Sequence, residues 1–264
     1  MKNAAIHIKR FKKLLATLRK ESAHRGKPEI PDDPIEQLML GLLARSASEH
    51  RAAVGLAALR GTSVDLNELR VTSVAEMVEA LGADFPQGRL AADGLARALN
   101  AIFNKTHTLS LAHLKPMGVK AASTYLSNLD GVDPHARALV IHYCLKGHTV
   151  PLDDNMYSYL RRTGCIPPET THDEAQTFLE RQLKQTEIDW FYHTFKRYAS
   201  THAGRPEKPA KPPADPAVKK APAPKAVQHA RSAKTRPAKA RPKSAASGSK
   251  TARKSTGKRA ERHR

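Results

Sequence analysis

Cysteine is nearly absent: Cys144 and Cys165 are the two in 264 residues. That excludes a disulfide framework and suits a reducing cytoplasm. No stretch approaches the apolar length of a membrane span, and no signal peptide precedes a small-residue cleavage site. No segment alternates with a period of two, so strands are not expected and the fold class is all-α. A glycine-rich nucleotide loop is missing. The histidines His107, His113, His142, His148, His172, His193 and His202 are scattered, with no two at the i, i+4 spacing of a zinc helix, so no metal site is expected.

Phe, Trp, Tyr, Leu and Ile are all absent from Arg205 onward, where the chain is built from Lys, Arg, Ala, Pro and Ser. Such a segment buries too little apolar surface to offset its ordering entropy and is expected to be disordered. It holds 19 of the 45 Lys and Arg but three of the 25 Asp and Glu, so +16 of the net charge of +20 lies there. A long basic arm binds phosphates by counterion release, without sequence preference and with steep salt dependence. The composition resembles the tails of linker histones and bacterial nucleoid proteins, which implies double-stranded DNA as partner and a nucleoid-associated location.

The first 204 residues read as helices. Ile8, Phe11, Leu14, Leu15 and Leu18 form a stripe, so the basic start is a first helix rather than a transit peptide. Pro34 opens an apolar helix through Leu38 and Leu42, and Ser48 can cap the next, which stops at Gly61. Ser73 and Glu76 make a capping box, a longer helix follows Pro86, and Thr171 caps a helix carrying Phe178 and Leu179. A last helix through Ile188, Phe191 and Phe195 is expected to return against the first.

The most informative stretch runs from Ser123 to Gly164. It reads as a helix, a tight turn at Leu129-Asp130-Gly131-Val132-Asp133, a second helix opened by Asp133 and Pro134 and stopped by Gly147, and a third helix after Asp153-Asp154. A hairpin feeding a helix N-terminus presents unpaired backbone N–H groups and the positive end of the helix dipole, which together make a seat for a phosphate. Leu129-x-Gly131-Val132, followed without a gap by Thr149-Val150-Pro151-Leu152-Asp153, resembles the helix-hairpin-helix and Gly/Pro-Asp segment of the endonuclease III superfamily of DNA glycosylases. The resemblance spreads faintly over residues 8 to 200.

That resemblance implies two helical lobes with the active cleft between them. One lobe is contiguous, about residues 29–145; the other is built from 1–28 and 146–204, and the basic tail occupies 205–264. It implies duplex DNA bound by Leu129, Gly131, Val132 and Asp133, and catalysis by Asp153, whose carboxylate would stabilise positive charge developing on the sugar and orient a water. His135 stands where bifunctional members carry a lysine. Imidazole cannot form their Schiff base, so that lyase route is not expected, and His135 is left as a phosphate contact or proton carrier on the first turn. Asp133 replaces the second hairpin glycine and competes with DNA for the same N–H groups. Ser46 replaces the glutamine that fills the gap left by an extruded base. The region matching the family's four cluster cysteines, Asp189 to Pro206, holds none, so no iron–sulfur cluster and no other cofactor is expected.

Tyr157, Tyr159, Trp190, Phe191 and Tyr192 are candidates to stack a flipped base, although packing also explains them. The expectation is therefore a monomeric, monofunctional DNA N-glycosylase of base-excision repair. Two rivals stand beside it: a catalytically inactive protein of the same fold that binds or compacts DNA through its tail, and an interaction module whose tail binds RNA or acidic proteins.

Overall fold

Helix caps written into the sequence begin most of the elements. A computed structural model describes residues 4–21 and 30–202, so the basic tail expected at 205–264 lies outside the described residues. These residues form eleven α-helices and, among them, no strand: α1 Ala4–Glu21, α2 Pro34–Ala44, α3 Glu49–Gly61, α4 Leu66–Val71, α5 Val74–Leu81, α6 Gly88–Thr106, α7 Val119–Ser127, α8 Pro134–Leu139, α9 Asp154–Arg162, α10 His172–Glu180 and α11 Gln185–Thr201. Asp33, Ser48, Asp65, Asp133 and Asp153 each accept a backbone N–H of the helix they precede. Ser73 with Glu76 and Thr171 with Glu174 form reciprocal capping boxes. Each such cap satisfies N–H groups that the helix cannot, worth about 1 kcal/mol.

Two apolar cores result. The first gathers α2 to α7 around Leu38, Met39, Leu42, Leu59, Met77, Leu95 and Ile102. The second joins α1 to the later helices: Phe11 and Leu18 of α1 pack with Leu160, Leu179, Ile188, Phe191 and Phe195. Phe11 meets Phe178 and Phe191 edge-on at 5.8 Å, which fixes α1 between α10 and α11.

The segment after the hairpin belongs to both cores. The sequence reads it as one α-helix ending at Gly147; instead α8 passes into a π-helical turn, Val140–Cys144. The wider turn lets Ala136, Val140 and Ile141 face the first core while Leu139 and Tyr143 face the second. Gly147 N donates to Ile141 O at 2.8 Å and closes the turn. α2 lies directly against α8: a Cβ on Gly41 would sit 2.9 Å from Ala136 Cα, so only glycine permits this approach. α4 was not anticipated, because six residues show no helical period; Asp65 caps it and Leu69 anchors it.

Candidate active site and hairpin

The hairpin between α7 and α8 closes with Val132 N donating to Leu129 O at 3.3 Å. Gly131 has φ +81°, and a Cβ there would come within 2.6 Å of the Ala98 amide nitrogen on α6, so glycine is required on both counts. Leu129 is buried in the first core, which anchors the turn. The amide of Gly131 donates to its neighbour Asp130 at 2.9 Å, and Arg97 of α6 holds the same carboxylate at 2.8 Å. At the helix start, Asp133 Oδ1 accepts from Ala136 N at 2.8 Å. Two of the N–H groups that would receive a phosphate are thus engaged by the hairpin's own carboxylates.

Burial pushes the Asp133 carboxyl up to about 6, against the Ala136 amide and the Arg45 guanidinium, which favour its charged form. Arg45 follows α2, and its Nη1 lies 3.9 Å from Asp133 Oδ2. Its Nε donates to both oxygens of Asp154, at 3.1 and 3.0 Å. Asp154, the neighbour of Asp153, is therefore an ion-pair partner of Arg45. Ser46 lines one small cleft with Gly131 and Asp133. Its hydroxyl donates to Pro86 O at 3.2 Å.

His135 is a correction in placement. Expected on an exposed first turn, it is 1 % exposed, enclosed between α2, α8 and α11. Its Nδ1 lies 3.2 Å from Gly41 O and its Nε2 3.0 Å from Tyr192 Oη. One tautomer satisfies both: Nδ1–H donates to the carbonyl and Nε2 accepts from the phenol. Burial, and next the charge of Lys196, hold its pKa well below the ordinary histidine value, so the ring is neutral. The helix meant to present it packs its first turn against Gly41, and that contact turns the imidazole inward.

Asp153 caps α9, with Oδ1 accepting from Met156 N at 2.7 Å. It is 1 % exposed, and Oδ2 lies 2.5 Å from Lys196 Nζ. Lys196, itself buried, also donates to Ala44 O at 2.6 Å. One ammonium therefore joins the end of α2, the start of α9 and the fourth turn of α11. No sequence signal marked Lys196. It follows four residues after Tyr192, so it shares that residue's inward face, and a register drawn from Ile188, Tyr192 and Lys196 would have found it.

A cleft of about 410 Å³ is lined by Gln37, Ala44, Glu49, Tyr143, Tyr192 and His193, among others, and meets the pair through Ala44, whose carbonyl Lys196 holds. His193 Nδ1 lies 2.7 Å from Glu49 Oε1, and Tyr143 Oη donates to Asp189 at 3.0 Å. The Gln37 side-chain oxygen is buried with no hydrogen-bond partner. Of the aromatic residues considered for stacking, Phe191 and Tyr159 are core residues, Tyr157 donates to Thr170 O, and Tyr192 lines this cleft.

A four-thiolate cluster does not fit this chain. Cys144 borders the first core, Cys165 lies in the second, both are free, and the sequence contains no others. Among the described residues no group of three or more His, Cys, Asp or Glu is placed to hold a metal ion.

No protein-family model and no curated protein sequence matches the chain. Solved structures do. A non-covalent endonuclease III–DNA complex superposes with a TM-score of 0.55 at 15% identity, over 76% of this chain and 90% of that one. A thermostable thymine-DNA glycosylase gives 0.52 at 15% identity, over 75% and 90%. The 3-methyladenine DNA glycosylase of H. pylori, bound to 1,N6-ethenoadenine, gives 0.51 at 16% identity, over 72% and 96%. The chain thus has the two-core, all-helical fold of the helix-hairpin-helix DNA glycosylases.

Proposed function

We propose that the protein is a DNA N-glycosylase of base-excision repair, hydrolysing the base–sugar bond of a flipped nucleotide with Asp153 and water. The observation that carries this reading is Asp153 itself: a buried carboxylate at a helix N-terminus, whose partner Lys196 also holds the carbonyl of Ala44, a wall of a cleft of about 410 Å³. Cleavage leaves positive charge on the sugar, and a fixed carboxylate in a site of low dielectric stabilises it far better than one in water. The Tyr192 ring offers a face for the extruded base, and Glu49 and Gln37 offer acceptors for its N–H groups.

His135 acts in this reading by holding α8 and Tyr192 in place rather than by touching DNA. Leu129, Gly131, Val132 and Asp133 shape the backbone seat, and Ser46 faces it across the small cleft. Residues 205–264 keep the protein on duplex DNA without sequence preference. Neither a metal nor a cofactor enters the reaction, and the protein works as a cytoplasmic, nucleoid-associated monomer.

The test is base release from duplexes carrying oxidised pyrimidine, uracil, alkylated purine or a mismatch, with alkali added afterwards. Cleavage that needs alkali and is lost in Asp153→Asn supports the reading, since asparagine still caps α9. No base release on any duplex, with DNA binding intact, establishes the second reading of a non-catalytic DNA-binding protein. That reading is favoured by one observation, the occupation of the Gly131 and Ala136 amides by Asp130 and Asp133.

A further inference from the structure

The proposed reaction places DNA at the start of α9, and a second charged surface lies at the other end of that helix. We infer that the outward side of α1, with the ends of α9 and α11, binds a second segment of duplex DNA, so that one molecule bridges two duplexes. The inference rests on the reading above for the first duplex only.

Charge is the first observation. Outside the basic tail, 26 Lys and Arg stand against 22 Asp and Glu, a net of +4. The helix α1 alone holds six of those cations and one of those acids, a net of +5. The rest of the first 204 residues is therefore close to neutral, and the excess of cations is concentrated on one helix. Lys9, Lys13 and Lys20 follow at intervals of four and seven residues, so they line one side of α1, turned away from buried Phe11, Leu14 and Leu18. That stripe is about 16 Å long, a length over which a duplex presents roughly ten phosphate charges.

Geometry extends the surface. Arg19 pairs with Glu187 and Phe11 packs on Phe191, so α1 and α11 run antiparallel and the start of one lies toward the end of the other. His7 Nδ1 and Arg10 Nη1 lie 2.9 and 3.2 Å from Gly164 O in the turn after α9, and Arg162 donates to His202 O at 2.8 Å. The start of α1 and the ends of α9 and α11 thus converge, and exposed Arg161, Arg162 and Arg197 join the lysines at this end of the fold. Asp153 caps the start of α9, so this end is set back from the proposed site by the length of that helix, about 13 Å.

Helix chemistry accounts for part of the charge: Arg10 and Arg162 hold carbonyls at helix ends, and Arg19 has its glutamate. It leaves Lys9, Lys12, Lys13 and Arg197, which are exposed and whose side chains make no ion pair among the described residues. The hairpin end is the reverse, with the Gly131 and Ala136 amides met by carboxylates. Beyond α11 the sequence continues into residues 205–264 with their net charge of +16, which suit the same polyanion.

The experiment mixes the full chain with a bead-bound duplex and a fluorescent one, and the fluorescence recovered on the beads measures bridging. One variant exchanges Lys9, Lys12, Lys13 and Arg197 together for Gln, and a second removes equal charge through Lys219, Lys220, Lys225 and Lys234. The expected result is at least fivefold less bridging in the first than in the second, with base release from a lesion duplex unchanged. Equal losses in the two variants, or none in either, overturn the inference. Lysine acetylation of the unaltered protein, read by mass spectrometry, decides the matter even where the first variant fails to fold. Lys9, Lys12 and Lys13 should become protected only above one duplex per molecule. Protection by phosphatidylglycerol vesicles and not by duplex overturns the inference in favour of a membrane surface. Base release without bridging removes this inference alone, while bridging without base release from any lesion removes the glycosylase reading alone.

Discussion

The hairpin and the Asp153 site are two helix N-termini treated in opposite ways. At α8 the cap, Asp133, is a side chain whose charge is discouraged by burial and which has Arg45 only at 3.9 Å. At α9 the cap, Asp153, is fully enclosed and is met by an ammonium brought from 43 residues away. The same local device, an aspartate accepting an N–H three residues on, is a mostly buried carboxyl with a distant partner in one place and a closely paired one in the other. A helix cap can be fully enclosed as an ion pair only when the tertiary fold supplies a partner for its second oxygen.

The largest effect that tests this contrast is on stability. Lys196→Met leaves the Asp153 carboxylate buried without its partner and should cost about 3–5 kcal/mol. Adding Asp153→Asn should recover most of that, which urea denaturation of the two variants would measure. A single variant costing under 1 kcal/mol would show that water reaches the pair. Gly131→Ala comes next, at roughly 2–3 kcal/mol, because a positive φ and the backbone of α6 both oppose a side chain. Gly118, where a Cβ would meet nothing, should tolerate alanine, and the difference between the two melting temperatures is the readout.

Protonation sharpens the comparison further. His135, His142 and His172 all have pKa values lowered by burial, so the unfolded chain takes up protons that the folded one refuses. Stability should therefore be full above about pH 6.5 and decline below it, by up to about 1.4 kcal/mol per pH unit for each histidine. Asp133 runs the other way. Its raised value means that the folded chain holds a proton between about 4 and 6, and its contribution falls as pH rises through that window. Replacing His135 with Gln should flatten the acid limb in pH-dependent denaturation.

The smallest effect concerns DNA. Above pH 6 the Asp133 carboxylate places a negative charge where a phosphate would sit. Asp133→Asn keeps the cap and removes the charge, and should strengthen duplex binding by about 0.5–1 kcal/mol at pH 7.5, with little change at pH 5. Fluorescence anisotropy with residues 205–264 retained would register this as a change in affinity at constant salt. Equal gains at both pH values would mean that Asp133 is ionised throughout.

Much of this was legible in the sequence because capping is local. Ser48, Ser73 with Glu76, Thr171 with Glu174, Asp133 and Asp153 announce their helices within four residues, and each does so in the structure. The π-helical turn after α8 was not legible, since it arises from the demand that one segment serve two cores. Lys196 was hidden for a related reason: a lysine on an amphipathic helix reads as solvated, and only the approach of α2 and α9 encloses it. His135 follows the same logic, as its burial depends on Gly41, 94 residues earlier.

The contact between Gly41 and Ala136 carries a consequence for sequence divergence. Two helices this close leave space for one methyl group, and it is spent at position 136. Shrinking residue 136 to glycine would not make room at 41, because its Cα and Leu139 would still stand in the way. Among descendants of this chain position 41 should therefore stay glycine wherever the two helices keep this distance, a historical mark of their spacing.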